Sequence, residues 1–240
     1  MIDFSWITGL AYGDTGWGDE FLRGGFLTLS ISACSYVLGI CLGLVGAGAK
    51  LSRNRYARTL AWFYTTMVRA VPELLLILLI YYSSTSTLRQ VVVGLGLAQD
   101  FEVNGFVAAC LSLGFVQGAY STEVFRGAIM TIPLGQREAA AALGLSRRQT
   151  WWLIILPQMF HKALPGLGNL WLVVLKESSL ISVVGFSELL FTAKMAGGAS
   201  NNYLFFFSAV ALAFLALSTG SSAIFGAMER HAGRYDRGHG

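Results

Sequence analysis

Three long runs of apolar residues without a single charge constrain the fold of this chain more than any other feature. They cover about residues 24 to 49, 103 to 122 and 203 to 228. An α-helix rises about 1.5 Å per residue, so each run is near or above the length that crosses about 30 Å of hydrocarbon. Soluble domains usually carry about 25% charged residues, whereas this chain carries 12%. The sequence therefore predicts an all-α membrane protein.

Two further stretches are predicted to span the membrane although each contains charged residues. The first, about residues 60 to 84, contains Arg69 and Glu73, and the second, about residues 163 to 187, contains a Lys-Glu pair. An unpaired charge at the bilayer centre costs about 2.5 to 3.5 kcal/mol on insertion scales, so such groups normally face a cavity or a partner. Five transmembrane helices follow, of which the second and fourth carry charges that need a structural or functional reason.

Positive residues are concentrated in the loops on one predicted side of the membrane, with twelve on that side against three on the other. The twelve are Lys50, Arg53, Arg55, Arg58, Arg126, Arg137, Arg147, Arg148, Lys162, Arg230, Arg234 and Arg237. Because cytoplasmic loops carry the excess of Lys and Arg, the C-terminus is predicted to be cytoplasmic and the N-terminus periplasmic, in a bacterial inner membrane. This assigns residues 1 to 21 to a periplasmic segment, 22 to 228 to the transmembrane domain and 229 to 240 to a cytoplasmic tail. The first basic residue is Arg23, so no cleaved signal peptide is expected.

The longest predicted cytoplasmic loop, about residues 127 to 162, contains a regularly spaced set of residues. Its fixed positions are Glu138, Ala139, Ala140, Gly144, Ile154, Leu156 and Pro157. The alanines favour a helix, Gly144 permits a turn, and the second piece of about ten residues is too short to span the membrane. Pro157 is expected to end that second helix. The pattern predicts a helix-turn-helix that lies in or under the cytoplasmic interface.

This motif resembles the signature of the permease subunits of binding-protein-dependent ABC importers. That signature reads Glu-Ala-Ala, three residues, Gly, nine residues, Ile-x-Leu-Pro, and every fixed position matches. In that family the loop forms a coupling helix that binds in a groove of the ATPase subunit, with the acid reaching a basic residue there. The resemblance implies a type I ABC importer permease fold and an ATPase-coupling role for the loop. An ordinary interfacial re-entrant helix is the alternative.

Other segments resemble the polar amino-acid permeases, and most of all the Q-type subunits of histidine, octopine and nopaline uptake systems. They are residues 44 to 52, 64 to 73 and 118 to 127. The resemblance implies an ATP-binding subunit dimer, a periplasmic substrate-binding protein, and a second permease subunit that is either homologous or another copy. The implied substrate is a cationic or polar amino acid or an opine. The run from Lys176 to Ser179 resembles the arginine or glutamine permeases more closely, so the individual substrate stays open.

No cofactor or metal ion is expected on this chain, and the resemblance places ATP and Mg on the partner ATPase. Residues 43 to 52 imitate a phosphate loop, but Ala49 occupies the position that requires Gly before Lys, and no strand precedes the segment. The histidines lack metal-ligand spacing, and no catalytic constellation supports a membrane enzyme. The basic residues lie at the edges of membrane segments, so nucleic acid is not an expected partner. A self-sufficient secondary transporter or channel for small polar solutes is the remaining alternative.

The charges of the second helix are predicted to form intramembrane ion pairs. Arg69 and Glu73 lie one helical turn apart and can pair with each other. Glu123, near the cytoplasmic end of the third helix, offers Arg69 a second partner. Pro72 is expected to kink the second helix because it removes one backbone donor. The leading interpretation is a structural cluster of Arg69, Glu73 and Glu123 that holds the two helices together.

The charges of the fourth helix are predicted to bind substrate. Lys176 and Glu177 are consecutive and point about 100° apart, so they pair poorly with each other and need other partners. They lie near the middle of the predicted span, followed by the hydroxyls of Ser178 and Ser179. An amino acid needs a cation for its carboxylate and an acid for its cationic end, and the sequence assigns Lys176 and Glu177 to these roles. Pairing with a second permease subunit is the alternative.

Overall fold

The computed structural model describes residues 9–13, 16–94 and 104–236 of the chain. The regular secondary structure of these residues is helical, as the sequence predicted. The α-helices are α1 Gly18–Lys50, α2 Arg55–Ala70, α3 Glu73–Gly94, α4 Gly105–Met130, α5 Leu134–Ala142, α6 Arg147–Thr150, α7 Leu156–Glu177, α8 Leu189–Ser200 and α9 Tyr203–Asp236. A π-helical turn, Trp151–Ile155, joins α6 to α7, and a 3-10 helix, Ser178–Val184, follows α7. Parts of the predicted terminal segments, residues 1–8, 14–15 and 237–240, lie outside the described residues, as does the first residue of the predicted third span, Val103.

Four helical stretches among the described residues are long and apolar enough to cross a membrane: Gly18–Lys50, Glu73–Val91, Arg147–Val184 and Tyr203–His231. The predicted third span corresponds to α4, whose 26 residues give it the length. This helix is not among the four, and it buries the polar side chains of Gln117, Ser121 and Thr122 against α1. The number of five spans stays a prediction.

The core is built on a close packing of α1 against α4, where Gly39-x-x-x-Gly43 on α1 meets Gly114-x-x-x-Gly118 on α4, a spacing of small residues that favours close helix packing. A Cβ atom added at Gly39 would lie 2.6 Å from Cγ of Gln117, and one added at Gly43 would lie 2.4 Å from Cβ of Ser121. Both distances are shorter than atoms tolerate, so only glycine fits at these two positions. The two helix backbones therefore approach each other as closely as small-residue interfaces in membranes allow.

The predicted second span is not one kinked helix but two helices, α2 and α3. Val71, between them, is extended, with φ −98° and ψ 143°. The ring of Pro72 disfavours helical geometry in the residue before it and supplies no N–H for a helix. Arg69 and Glu73 consequently belong to different helices.

Pro157 does not end the second helix of the loop, so that prediction is wrong. The chain continues as helix from Arg147 through the π-helical turn into α7, where Pro157 occupies the first turn. A proline in a first turn sacrifices little backbone hydrogen bonding, and the wide π turn before it gives room for the ring. Pro165 lies farther along the same helix.

The predicted fourth span, 163 to 187, ends as an α-helix earlier than expected, at Glu177. The 3-10 helix that follows terminates at Gly185, which has a φ of +82° that favours glycine. A helix that the sequence did not predict, α8, comes next. Its N-cap is the fully buried Glu188, whose carboxylate accepts hydrogen bonds from the backbone N–H groups of Leu190 and Phe191 at 2.9 and 2.8 Å. The Thr28 hydroxyl of α1 donates to the same carboxylate at 3.3 Å, which attaches α8 to the core.

Candidate functional sites

The loop motif folds as two short helices around a glycine turn at one end of the bundle. Helix α5 carries the acid and alanines of the motif, and only Ala140 among them is buried. Gly144 has a φ of +72°, in the left-handed region, and a Cβ atom there would contact nothing within 4 Å. Glycine is therefore required at this turn by its backbone conformation and not by lack of space.

The second half of the motif anchors the loop to the bundle. Ser146 caps α6, since its hydroxyl accepts the N–H of Gln149 at 3.3 Å while the Gln149 side chain accepts the N–H of Ser146 at 2.9 Å. Farther along, Ile154 and Leu156 are half-buried, whereas Pro157 is exposed. Glu138 and Ala139 remain exposed on α5, which leaves the acid-bearing half of the motif accessible to another protein.

The predicted ion-pair cluster of Arg69, Glu73 and Glu123 does not form as one unit. Glu123 is paired with two cations that the prediction did not include, Lys50 at the end of α1 and Arg126 one turn along α4. The Arg126 Nε atom lies 2.9 Å from the Glu123 carboxylate. These contacts join α1 to α4, so the structural role predicted for Glu123 involves a different helix pair.

Arg69 and Glu73 are also not paired with each other in the described part of the chain, because the break at Pro72 separates them. They meet instead through Tyr120 of α4. The Tyr120 hydroxyl donates a hydrogen bond of 2.6 Å to Oε1 of Glu73, and the Arg69 guanidinium lies over the Tyr120 ring, 5.9 Å from its centroid. Sequence reasoning missed Tyr120, although the residue lies within a segment that resembles the permeases.

The two predicted charge groups meet at a pair of carboxyl groups. The carboxyl group of Glu177, at the end of α7, lies next to that of Glu73, at the start of α3. Two neighbouring carboxyl groups share a hydrogen bond only when one of them carries a proton, because ionised carboxylates only accept. Both side chains are half-buried, so Glu73 and Glu177 form an acidic site between helices.

The other predicted substrate residues surround this pair. Lys176 is exposed at the end of α7, and the structure describes no carboxylate within ion-pair distance of it. The Ser178 hydroxyl donates to the carbonyl of Leu175 at 2.7 Å, and the Ser179 hydroxyl donates to that of Lys176 at 2.6 Å. Both serines therefore donate their hydroxyl protons to carbonyl groups at the end of α7 and keep only acceptor lone pairs. The arrangement presents the Lys176 ammonium group next to two carboxyl groups and a tyrosine hydroxyl, with the Arg69 guanidinium over the tyrosine ring.

A helical bundle with several apolar spans, an exposed helical loop at one end and charged groups between its helices is the architecture of a membrane transport subunit. The chain belongs to the family of binding-protein-dependent transport system inner membrane components, whose model matches residues 39–234. The matched region contains the 138 to 157 motif as well as Glu73 and Glu177. The family predicted from the loop motif is thereby confirmed, and the hypothesis of a membrane enzyme is dropped.

The chain is similar over nearly its whole length to several permease proteins. It is 42% identical to the nopaline transport system permease protein NocQ of Agrobacterium fabrum, over 95% of this chain and 97% of the relative. It is 40% identical to the histidine/lysine/arginine/ornithine transport system permease protein HisQ of Salmonella typhimurium, over 90% and 94% of the two chains. The octopine transport system permease protein OccQ of Rhizobium radiobacter is 35% identical, over 93% and 94%. The resemblance to Q-type subunits is confirmed.

Two solved structures have the same fold. A crystal structure of an amino acid ABC transporter with histidines matches with a TM-score of 0.79 and 26% identity, over 96% of this chain and 99% of that one. An inward-facing structure of the MetNI methionine ABC transporter matches with a TM-score of 0.71 over 88% of this chain and 95% of that one. At 18% identity the second likeness concerns the fold alone. The predicted ABC importer permease fold is confirmed.

Proposed function

We propose that this chain is the membrane-spanning subunit of an importer for amino acids or opines with a cationic group, driven by ATP hydrolysis on a separate subunit. The observation that carries the proposal is the Glu73 and Glu177 pair beside Lys176, in a chain whose relatives transport nopaline, octopine or histidine, lysine, arginine and ornithine. A half-buried acidic site favours a cationic ligand group because it gains both Coulomb attraction and hydrogen bonds there.

Each residue of this site has a proposed role. Glu177 binds the cationic end of the substrate, and the Glu73 carboxyl next to it shares that charge. Lys176 binds the substrate carboxylate, and it is accessible for this because the structure gives it no ion-pair partner among the described residues. Ser179 accepts a hydrogen bond from the substrate, since its own proton is donated to α7, and the fully buried Ser178 holds the end of α7 beside it. Tyr120 orients Glu73 through its hydroxyl.

The loop from α5 to the π-helical turn is proposed to dock on the ATPase, which holds the ATP and Mg. Glu138 is exposed and lies about 160° around α5 from the buried Ala140, counting about 100° per residue, so it faces away from the bundle. A carboxylate in that position suits a basic residue of a partner. In this proposal a periplasmic binding protein delivers the ligand to the permease. Closure of the paired ATPases then moves the docked loop, and the membrane helices alternate between outward-open and inward-open arrangements.

A second permease subunit is proposed to complete the translocation path. Helix α2 exposes a row of large apolar side chains, with Tyr56, Leu60 and Phe63 exposed by 88%, 70% and 53%. These residues recur at i, i+4 and i+7, which places them on one face of the helix. The Q-type relatives favour a homologous subunit over a second copy of this chain as the partner.

The N-terminus is proposed to be periplasmic and the C-terminus cytoplasmic, on the evidence of the basic residues in the loops. An alkaline phosphatase domain fused after Gly240 is expected to be inactive, and a fluorescent protein fused there is expected to be fluorescent. An active phosphatase fusion at the C-terminus would reverse this topology.

Reconstitution tests the proposed function directly. The chain, co-expressed with the ATPase, second permease and binding protein encoded nearest to it, is expected to co-purify with the ATPase. In liposomes the complex should accumulate radiolabelled arginine or histidine only when ATP is enclosed with the ATPase. Accumulation driven by an ion gradient without ATP would favour a self-sufficient secondary transporter instead.

A further inference from the structure

A cavity of about 280 Å³ lies between the start of α1 and the start of α8, at the end of the bundle away from the motif loop. Arg23 lines this cavity, whereas Leu51, just after the other end of α1, lines a different cavity together with Trp151 of the loop. At about 1.5 Å per residue, the stretch from Arg23 to Leu51 measures about 40 Å. On the topology proposed above, the cavity is therefore at the periplasmic end. Neither Glu73 nor Glu177 lines it, so it is separate from the acidic site.

The two walls of this cavity are held at a fixed spacing because α1 and α8 touch beside it. Gly24 of α1 lines the cavity and is fully buried, and a Cβ atom added there would lie 3.0 Å from Oγ1 of Thr192 and 3.0 Å from Cα of Leu189. One turn along α1, the Thr28 hydroxyl donates to the carboxylate of Glu188, the cap of α8. The shape of the cavity consequently does not depend on a ligand to form it.

Two opposite charges, Glu20 and Arg23, lie on the α1 wall of the cavity. Side chains three positions apart on a helix are neighbours, with Cβ atoms about 5 to 6 Å apart. Both side chains are exposed, and neither forms an ion pair in the described part of the chain. A small ligand that carries an anion and a cation close together can therefore form a charged hydrogen bond with each of them at the same time.

The rest of the lining is mainly apolar, and the cavity is small. Trp17 and Leu27 lie on the α1 side, and Phe191 and Met195 lie on the α8 side. Pockets for drug-sized ligands measure about 300 to 1,000 Å³, so a cavity of about 280 Å³ suits a smaller molecule with one short apolar part. The pair of charges, the apolar lining and the size together fit a single zwitterionic amino acid.

We propose that this cavity is an entry subsite for amino acids, in which Arg23 binds the α-carboxylate, Glu20 binds the α-ammonium group, and the ligand side chain lies against Trp17 and Phe191. Its role as an entry point rests on the proposed function, because a binding protein releases its ligand at the periplasmic end.

The chemistry that this subsite recognises, an ammonium group close to an anion, is shared by the headgroup of phosphatidylethanolamine. The free amino acid is favoured because α8 exposes Lys194 directly beside the lining residue Met195. An exposed ammonium group is costly next to hydrocarbon, so the surface around the cavity offers no apolar path for two acyl chains.

Binding of radiolabelled arginine to the detergent-purified complex of the chain with its ATPase and second permease subunits tests the proposal. The variant Glu177→Lys removes binding at the acidic site, so the arginine that this background still binds reports the entry subsite. Adding Arg23→Gln is expected to weaken the remaining binding by about tenfold, since it removes a charged hydrogen bond. The matched control is Lys194→Gln, which removes a cation that is exposed on α8 but does not line the cavity. It should change the affinity by less than about threefold.

Two comparisons separate a lost contact from a distorted fold. Agmatine is arginine without its carboxylate, so it should bind the Glu177→Lys background equally well with and without Arg23→Gln. A general distortion would weaken the binding of both ligands. Arg23→Lys keeps the charge, and on the same background it should bind arginine within about threefold.

Equal weakening of arginine binding by Arg23→Gln and Lys194→Gln would overturn the proposal. It would also be overturned if short-chain phosphatidylethanolamine displaced the remaining arginine at lower concentrations than alanine does, because the cavity would then belong to a lipid headgroup. No remaining arginine binding in Glu177→Lys, although the parent complex imports arginine, would overturn the entry subsite and leave the proposed function standing. Remaining binding that depends on Arg23, in a parent complex without ATP-driven uptake, would support the subsite and overturn the proposed function.

Discussion

Replacing Glu177 with lysine is expected to abolish uptake of cationic substrates. The new ammonium group would lie against Glu73, neutralise its carboxylate and repel the cationic end of the ligand from the same position. The milder variant Glu177→Gln keeps a side chain of the same size beside Glu73 but can never become a carboxylate for the ligand, and a charged hydrogen bond contributes about 1.5 to 3 kcal/mol. We expect it to lower the apparent affinity for arginine by about tenfold or more. Uptake of radiolabelled substrate by reconstituted liposomes measures both effects.

This prediction has two controls: a neutral ligand offered to the Glu177→Gln variant, and the removal of a hydroxyl group outside the proposed site. Uptake of a neutral amino acid by Glu177→Gln, where the system transports one, should fall by less than about threefold, since no cationic side chain is involved. Ser30→Ala removes a hydroxyl of α1 that donates to the Phe26 carbonyl and lies outside the proposed site, and it should change arginine uptake only weakly. Arginine uptake with unaltered affinity in Glu177→Lys would show that the charged pair lies outside the substrate path and belongs to subunit contacts.

Replacing Gly144 with valine is expected to uncouple ATP hydrolysis from transport. The backbone of Gly144 lies in the left-handed region, where a residue with a Cβ atom pays about 1 to 2 kcal/mol and a β-branched one more. The turn between α5 and α6 would therefore change its geometry and misplace Glu138. We expect about a tenfold fall in substrate imported per ATP hydrolysed, because about 1.4 kcal/mol corresponds to a factor of ten. Parallel assays of uptake and phosphate release give this ratio.

Two substitutions control for strain and for bulk at the same loop. Asparagine tolerates left-handed geometry, so Gly144→Asn should retain at least half of the coupling ratio. Gly135→Ala adds a side-chain carbon at an exposed position of α5 where a Cβ atom contacts nothing, and it should be neutral. All three variants should insert into the membrane at parental levels. Full coupling in Gly144→Val would contradict the docking role of the loop.

The family and the helical loop could be predicted from sequence because both depend on local patterns. The Glu138 to Pro157 motif is contiguous, and its glycine turn lies where the spacing placed it. The wrong detail, a helix end at Pro157, came from treating proline as a stop signal. A proline in a first turn after a π-helical turn costs little, and single residues do not reveal such a turn in advance.

The sequence identified the charged residues of the site individually, but it did not predict which of them lie next to each other. Glu73 and Glu177 were both singled out, yet their contact joins residues about a hundred positions apart, and periodicity carries no information on such contacts. The break at Pro72 removed the helical spacing on which the Arg69 and Glu73 pair depended. Lys50 was counted as a topological charge, and nothing in the sequence indicated that α1 ends beside Glu123. Helix α8 escaped prediction because it is too short to span a membrane and depends on the buried cap Glu188.

The close packing of α1 and α4 has a consequence for how this subunit moves. Side chains of each helix pack against glycines of the other. Leu38 and Leu42 of α1 would lie only 2.6 and 2.7 Å from Cβ atoms added at Gly114 and Gly118 of α4. Axial sliding by a fraction of a turn would drive those leucines into neighbouring side chains. We therefore expect the two helices to move as a single stiff element during transport. Relative displacement must arise elsewhere, and the non-helical connection at Val71 and Pro72 is a natural pivot for α2 against α3.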